Sequence, residues 1–112
     1  MPEVGFHVSV EEPSPGRVVV GVAGEIDVAT APAVERALAD AGAEKRVVLD
    51  LTECQFIDSS GLRTLLGARS AAESAGGSLA LVVADAGLLR VFEVVGLGDV
   101  LEIHHTLDRA LA

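Results

Sequence analysis

Apolar residues fall along this chain in short runs with two different periods. Phe6, Val8 and Val10 alternate with His7 and Ser9, the period-two pattern of a half-buried strand. Glu11 to Gly16 (EEPSPG) holds two prolines and a glycine and predicts a turn. Arg17 to Gly24 (RVVVGVAG) is a β-branched run, so a second strand is predicted, paired with the first as an antiparallel hairpin. The period then lengthens. Val34, Ala37, Leu38 and Ala41 make the apolar stripe of a helix, with Thr30 as predicted N-cap, Pro32 in the first turn and Gly42 at the end.

Val47, Val48, Leu49 and Leu51 predict a third strand, apolar on both faces except at Asp50, as suits the middle of a covered sheet. A second helix begins around Ser59-Ser60-Gly61, with Leu62, Leu65, Leu66 and Arg69 on one face and Gly76-Gly77 at its end. Its alanines, Ala68, Ala71, Ala72 and Ala75, support it by propensity. Ser78 to Val83 reads as a fourth strand. Ala86 to Val95 reads as a third helix, with Leu88, Leu89, Phe92 and Val95 inward. Val100 to Ile103 is a short last strand and Leu107 to Ala112 a terminal helical turn. The order β-β-α-β-α-β-α-β-(α) implies an α/β fold. Its sheet is mixed and mostly parallel, with an N-terminal antiparallel hairpin, right-handed crossovers and helices packed against it.

A length of 112 residues suits one compact domain, and 50% hydrophobic residues exclude a disordered chain. The balance of 8 basic against 17 acidic residues leaves a net charge of −9, which argues against direct binding of nucleic acid or an anionic membrane. Phe6, Phe56 and Phe92 are the only aromatics, too few for a base-stacking platform. Cys54 stands alone, so it forms no internal disulfide and no CxxC metal pattern; it fits a reducing compartment and reads as a small hydrophobe. Met1 to Glu12 lacks the basic and apolar regions of a signal peptide. The most apolar stretch, Ala86 to Gly98, is interrupted by Arg90 and Glu93 and predicts no membrane span. These features together predict a cytoplasmic domain.

In parallel α/β sheets the functional edge lies beyond the C-terminal ends of the strands. The loops leaving strands two, three and four carry Glu25 and Asp27, then Asp58, Ser59 and Ser60, then Asp85. A hydroxyl pair and several carboxylates therefore share one rim, and Arg63 is the nearest cation by sequence. Asp58 or Ser59 suits an N-cap, and a helix N-terminus also favours a phosphate. A phosphate carried by the serine itself would find the same N–H donors there. A nucleophilic Ser59 would need an adjacent base, but His7, His104 and His105 lie at the first strand and after the last, and no G-x-S-x-G elbow is present. Adjacent His104 and His105 point to opposite faces and do not share an ion. No Gly-rich phosphate loop, dense D-x-D loop or cofactor motif occurs, so neither an enzyme nor a bound cofactor is expected. Phe56 and Ile57 read as core anchors.

Leu49-Asp50-Leu51 with Phe56-Ile57-Asp58-Ser59-Ser60-Gly61-Leu62 resembles the signature of the STAS-domain anti-sigma-factor antagonists. Gly24-Glu25-Ile26-Asp27 with Ala31-Pro32 resembles the second signature segment, and Gly76-Gly77 and Val95-Gly96-Leu97 fall where that family has them. The resemblance extends over about residues 6–111 and implies one STAS domain over 1–112. It also implies that Ser59 is phosphorylated by an anti-sigma factor with serine kinase activity, with Ser60 as the alternative acceptor. On the same resemblance, the unmodified chain would bind that factor and release a sigma factor, the phosphorylated chain would not bind, and a serine phosphatase would reset it. Glu25, Asp27, Asp58, Ser59, Ser60, Gly61, Leu62 and Arg63 are the implied partner-binding residues. Arg63 departs from the glycine frequent in the family after Gly-Leu, and puts the partner's identity in question. A constitutive STAS module in a scaffold or transporter-associated complex, with Ser59 only capping a helix, is the competing reading.

Overall fold

A computed structural model describes residues 5–112 of the chain. The reading of Met1 to Glu12 as no signal peptide therefore falls partly, over residues 1–4, outside the described residues.

Five strands form one sheet in the order β1-β2-β3-β4-β5. They are β1 (His7–Ser14), β2 (Arg17–Ala23), β3 (Arg46–Glu53), β4 (Ser78–Val82) and β5 (Glu102–His104). The β1–β2 pair is antiparallel and the others are parallel, as the element order implied. Between them run α1 (Ala31–Ala41), α2 (Ser59–Ala75) and α3 (Ala86–Val94), and α4 (Leu107–Leu111) ends the chain.

Side chains alternate across a strand, so the central β3 feeds two cores. Val47, Leu49 and Leu51 join Val20, Leu81, Val34, Leu65, Leu88 and Phe92 in the larger core, beneath α1, α2 and α3. Val48 faces the other way and joins Ala80, Val82 and Ala110 beneath α4. Arg46 pins that second layer. Its guanidinium donates to both Glu102 carboxylate oxygens at 2.9 and 2.6 Å and to the Ala110 carbonyl at 2.6 Å. Glu102 also meets His104 Nε2 at 2.7 Å. The Arg46 hydrogen bonds, helped by His104, hold the Glu102 carboxyl down at about 2 despite partial burial.

Three local expectations need correcting. The segment read as turn from Glu11 to Gly16 is mostly strand. β1 continues through Pro13 to Ser14, with a register irregularity after Glu11, and only Pro15 and Gly16 turn the chain. An outer strand tolerates proline because its outward N–H has no ladder partner to lose. The apolar face expected of α2 is the one that packs: Leu65 is fully buried, Leu62 and Leu66 lie half-buried against the same core, and Gly61 and Ala72 are buried with them. Val95 is not inward but 49% exposed, because α3 ends at Val94 and the chain turns away through Gly96. The last strand is displaced too: Val100 is exposed, Leu101 buried and pairing starts at Glu102.

Candidate functional site

Beyond the ends of β2 and β3 the two chains stay together for a few residues more. Gly24 N–H donates to the Glu53 carbonyl at 3.1 Å, Ile26 N–H to Phe56 at 3.0 Å, and Asp58 N–H to Ile26 at 3.1 Å. Ile26 and Ile57 form an isolated parallel bridge, and both side chains are buried. Gly24 makes this possible. Its φ of 104° is a left-handed value that other residues avoid, and a Cβ there would lie 2.9 Å from the Gly5 carbonyl oxygen.

This short ladder sets the start of α2. Asp58 is its N-cap, and Oδ1 accepts from Ser60 N–H at 2.9 Å and Gly61 N–H at 3.1 Å. Asp58 is thus the helix cap the sequence offered, and it takes two of the donors that a phosphate would seek at this terminus. Ser59, the first helical residue, is exposed, whereas Ser60 is half-buried. Gly61 packs directly on the bridge: a Cβ there would meet Ile57 Cγ1 at 2.5 Å and Ile26 Cγ2 at 2.8 Å. Leu62 is half-buried against the core, and Arg63 is exposed one turn beyond Ser59, without an ion pair among the described residues.

The loop into α1 is braced differently from the expected threonine cap. Thr30 occupies the N-cap position, but its side chain does not cap the helix. Its buried hydroxyl donates to the Glu25 carbonyl at 2.8 Å and accepts from Asp27 N–H at 2.9 Å. Asp27 Oδ1 accepts from Ala29 and Thr30 N–H at 3.0 and 3.1 Å. The Asp27 carboxylate thus shapes its own loop, while the Glu25 side chain is exposed.

Asp85 caps α3 through Leu88 N–H at 2.8 Å. Cys54 is fully buried and its Sγ donates to the Phe56 carbonyl at 3.3 Å. Burial pushes this thiol up, and the Asp85 and Glu25 charges add to the effect. The three loops thus converge at the C-terminal edge. Phe56 is not a core anchor as expected but is 46% exposed. On an extended segment its neighbour Ile57 takes the inward side, so Phe56 must face outward. Of the histidines, His7 stands on β1 and His104 is engaged by Glu102 on β5.

One feature of the site has no counterpart in the sequence reading. A groove of about 600 Å³ runs between α1 and α2, floored by Val47 and Leu79. Its walls include Val28, Leu38, Gly67, Ala68 and Ala71, and its polar positions are Ser60, Arg63, Thr64 and Glu35. Val28 is 74% exposed at the rim. The only sequence signal was the run of small residues in α2, which also reads as helix propensity.

Residues 8–110 match the STAS domain family. The anti-sigma-B factor antagonist of Listeria monocytogenes is 37% identical over 102 residues, covering 89% of this chain and 90% of that protein. That of Bacillus subtilis is 36% identical over 89 residues, covering 77% and 80%. The crystal structure of an anti-sigma factor antagonist from Mycobacterium paratuberculosis superposes with a TM-score of 0.83 at 32% identity, covering 95% of this chain and 91% of that one.

Proposed function

The chain belongs to the STAS domain family, and on that premise we propose that it is an anti-sigma factor antagonist, one STAS domain over 1–112, switched by a phosphate on Ser59. The unmodified rim binds an anti-sigma factor that is also a serine kinase, and a sigma factor is released. A serine phosphatase reverses the modification. The chain acts by binding, in the cytoplasm, and supplies no catalytic group of its own.

The observation that carries this reading is the contrast between the two hydroxyls. Ser59 is exposed at the first position of α2, while Ser60 is half-buried and its N–H is held by Asp58. A kinase reaching this rim meets Ser59 first. The phosphate adds about −1.5 to −2 charges. It would sit beside the Asp58 carboxylate and on the rim that carries Glu25, Asp27 and Asp85. Two unit charges at about 4 Å interact by about 1 kcal/mol in water and about 4 kcal/mol at an effective dielectric near 20. Since about 1.4 kcal/mol is tenfold in affinity, a phosphate facing an acidic or closely packed partner surface weakens docking by one to a few orders of magnitude. Asp58, already satisfied, has no reason to release the helix, so the change stays local to the rim.

The test is incubation with ATP and each anti-sigma factor kinase of the source organism. A mass gain mapped to Ser59, absent in Ser59→Ala and accompanied by loss of binding, is the expected result. A chain that binds its partner and never acquires phosphate is a constitutive module instead.

A further inference from the structure

We propose that the α1–α2 groove is the seat of the partner itself: it takes apolar side chains of an amphipathic protein segment that presents an acidic residue to Arg63 and a basic residue to Glu35. This rests on the antagonist reading above and adds which surface docks and what chemistry it selects.

Three independent features support it. The first is size and lining. A space of about 600 Å³ between two helices lies within the range of occupied binding clefts, and its walls are mostly apolar. Water held against such walls is released when apolar side chains replace it.

The second is Gly67. It lies in the interior of α2, where glycine is a poorer helix former than alanine. Packing does not call for it, since a Cβ at Gly67 meets nothing within 4 Å. Gly61 of the same helix is the opposite case, with buried isoleucine atoms closer than a Cβ allows. No neighbour among the described residues requires the missing side chain at Gly67, and its absence widens the groove.

The third is charge. Arg63 on the α2 wall and Glu35 on the α1 wall both line the groove, and neither has an ion pair or hydrogen bond among the described side chains. Two opposite charges on facing walls favour a segment with the reverse pair, in one orientation only. The groove is also continuous with the proposed switch. Ser60 lines it, Ser59 is the adjacent residue, and Ser59 and Arg63 are i, i+4 neighbours on α2. A phosphate on Ser59 is therefore placed to draw Arg63 away from the partner's acid.

The experiment measures the affinity of the full chain for the anti-sigma factor kinase that binds the wild type, by calorimetry. Gly67→Leu projects into the groove from a position whose Cβ meets nothing within 4 Å, and Gly67→Ala controls for helix propensity. Gly67→Leu is expected to weaken binding at least tenfold with an unchanged or raised melting temperature, while Gly67→Ala stays within about threefold. Arg63→Glu and Glu35→Lys are each expected to weaken binding at least tenfold, and Arg109→Glu, remote on α4, to leave it unchanged. Binding by Gly67→Leu within twofold of wild type overturns the groove while leaving the antagonist reading intact. A wild-type chain that self-associates through this face, with Gly67→Leu monomeric and still binding the kinase, also overturns it. Failure of every kinase to bind the wild type removes the antagonist reading and this inference together.

Discussion

Ile26 and Ile57 pair as a one-residue parallel bridge past the ends of β2 and β3, and Gly61 closes over both side chains. Through this contact the loop before α1 and the first turn of α2 form one packed unit. The exposed serine is consequently presented on a closely packed base.

Gly61→Ala strains that unit. Its Cβ has no room beside Ile57 Cγ1 and Ile26 Cγ2. A loss of about 1–3 kcal/mol is expected, the usual scale for overpacking. Urea denaturation measures it, and amide shifts should concentrate at 24–30 and 54–62. A fully tolerated alanine would mean that the bridge is loose.

Asp58→Ala frees the N–H groups of Ser60 and Gly61. An expected cost of about 1 kcal/mol follows from loss of the cap. Asp58→Asn, which keeps an acceptor, should recover most of it. Hydrogen exchange at Ser60 and Gly61 reports the same loss locally.

Ser59→Ala removes an exposed hydroxyl that makes no hydrogen bond among the described residues, so stability should change by less than about 0.5 kcal/mol. Partner binding should persist and become insensitive to ATP. Ser59→Asp should bind at least tenfold more weakly. Equal binding by both variants would remove the charge switch, whatever the partner.

The Glu102 carboxyl is held at about 2 by Arg46, below its ordinary value of 4.5. A carboxyl depressed in the folded state adds stability above its unfolded value and loses it as pH falls toward the folded value. The melting temperature should therefore decline between about pH 4.5 and 2. Glu102→Gln should decline less over that window and be less stable at neutral pH, since it loses the paired charge. As the Glu102 side chain is 43% exposed, solvent screening keeps the effect modest. Parallel pH profiles of the two proteins would refute the pairing.

Much of this was legible in the chain itself. The alternation in the first strand, the apolar runs of β2 and β3, the stripe in α1 and the glycine stops set the element order, because each residue's partition between water and core acts locally and repeats with the period of its backbone. The Asp58-Ser59-Ser60-Gly61 cap was legible too, since capping involves neighbours only.

Distance in sequence hid the rest. Phe56 faces out because its neighbour Ile57 is claimed by Ile26, thirty-one positions away. Thr30 braces the loop before α1 instead of capping the helix, because its hydroxyl oxygen accepts from Asp27 N–H and its O–H goes to the Glu25 carbonyl. The groove exists only where small residues of α2 stand opposite α1 across the floor of Val47 and Leu79. Local patterning decided which residues leave water. Packing between distant segments decided which of the remaining ones meet, and hence where a partner finds an open surface.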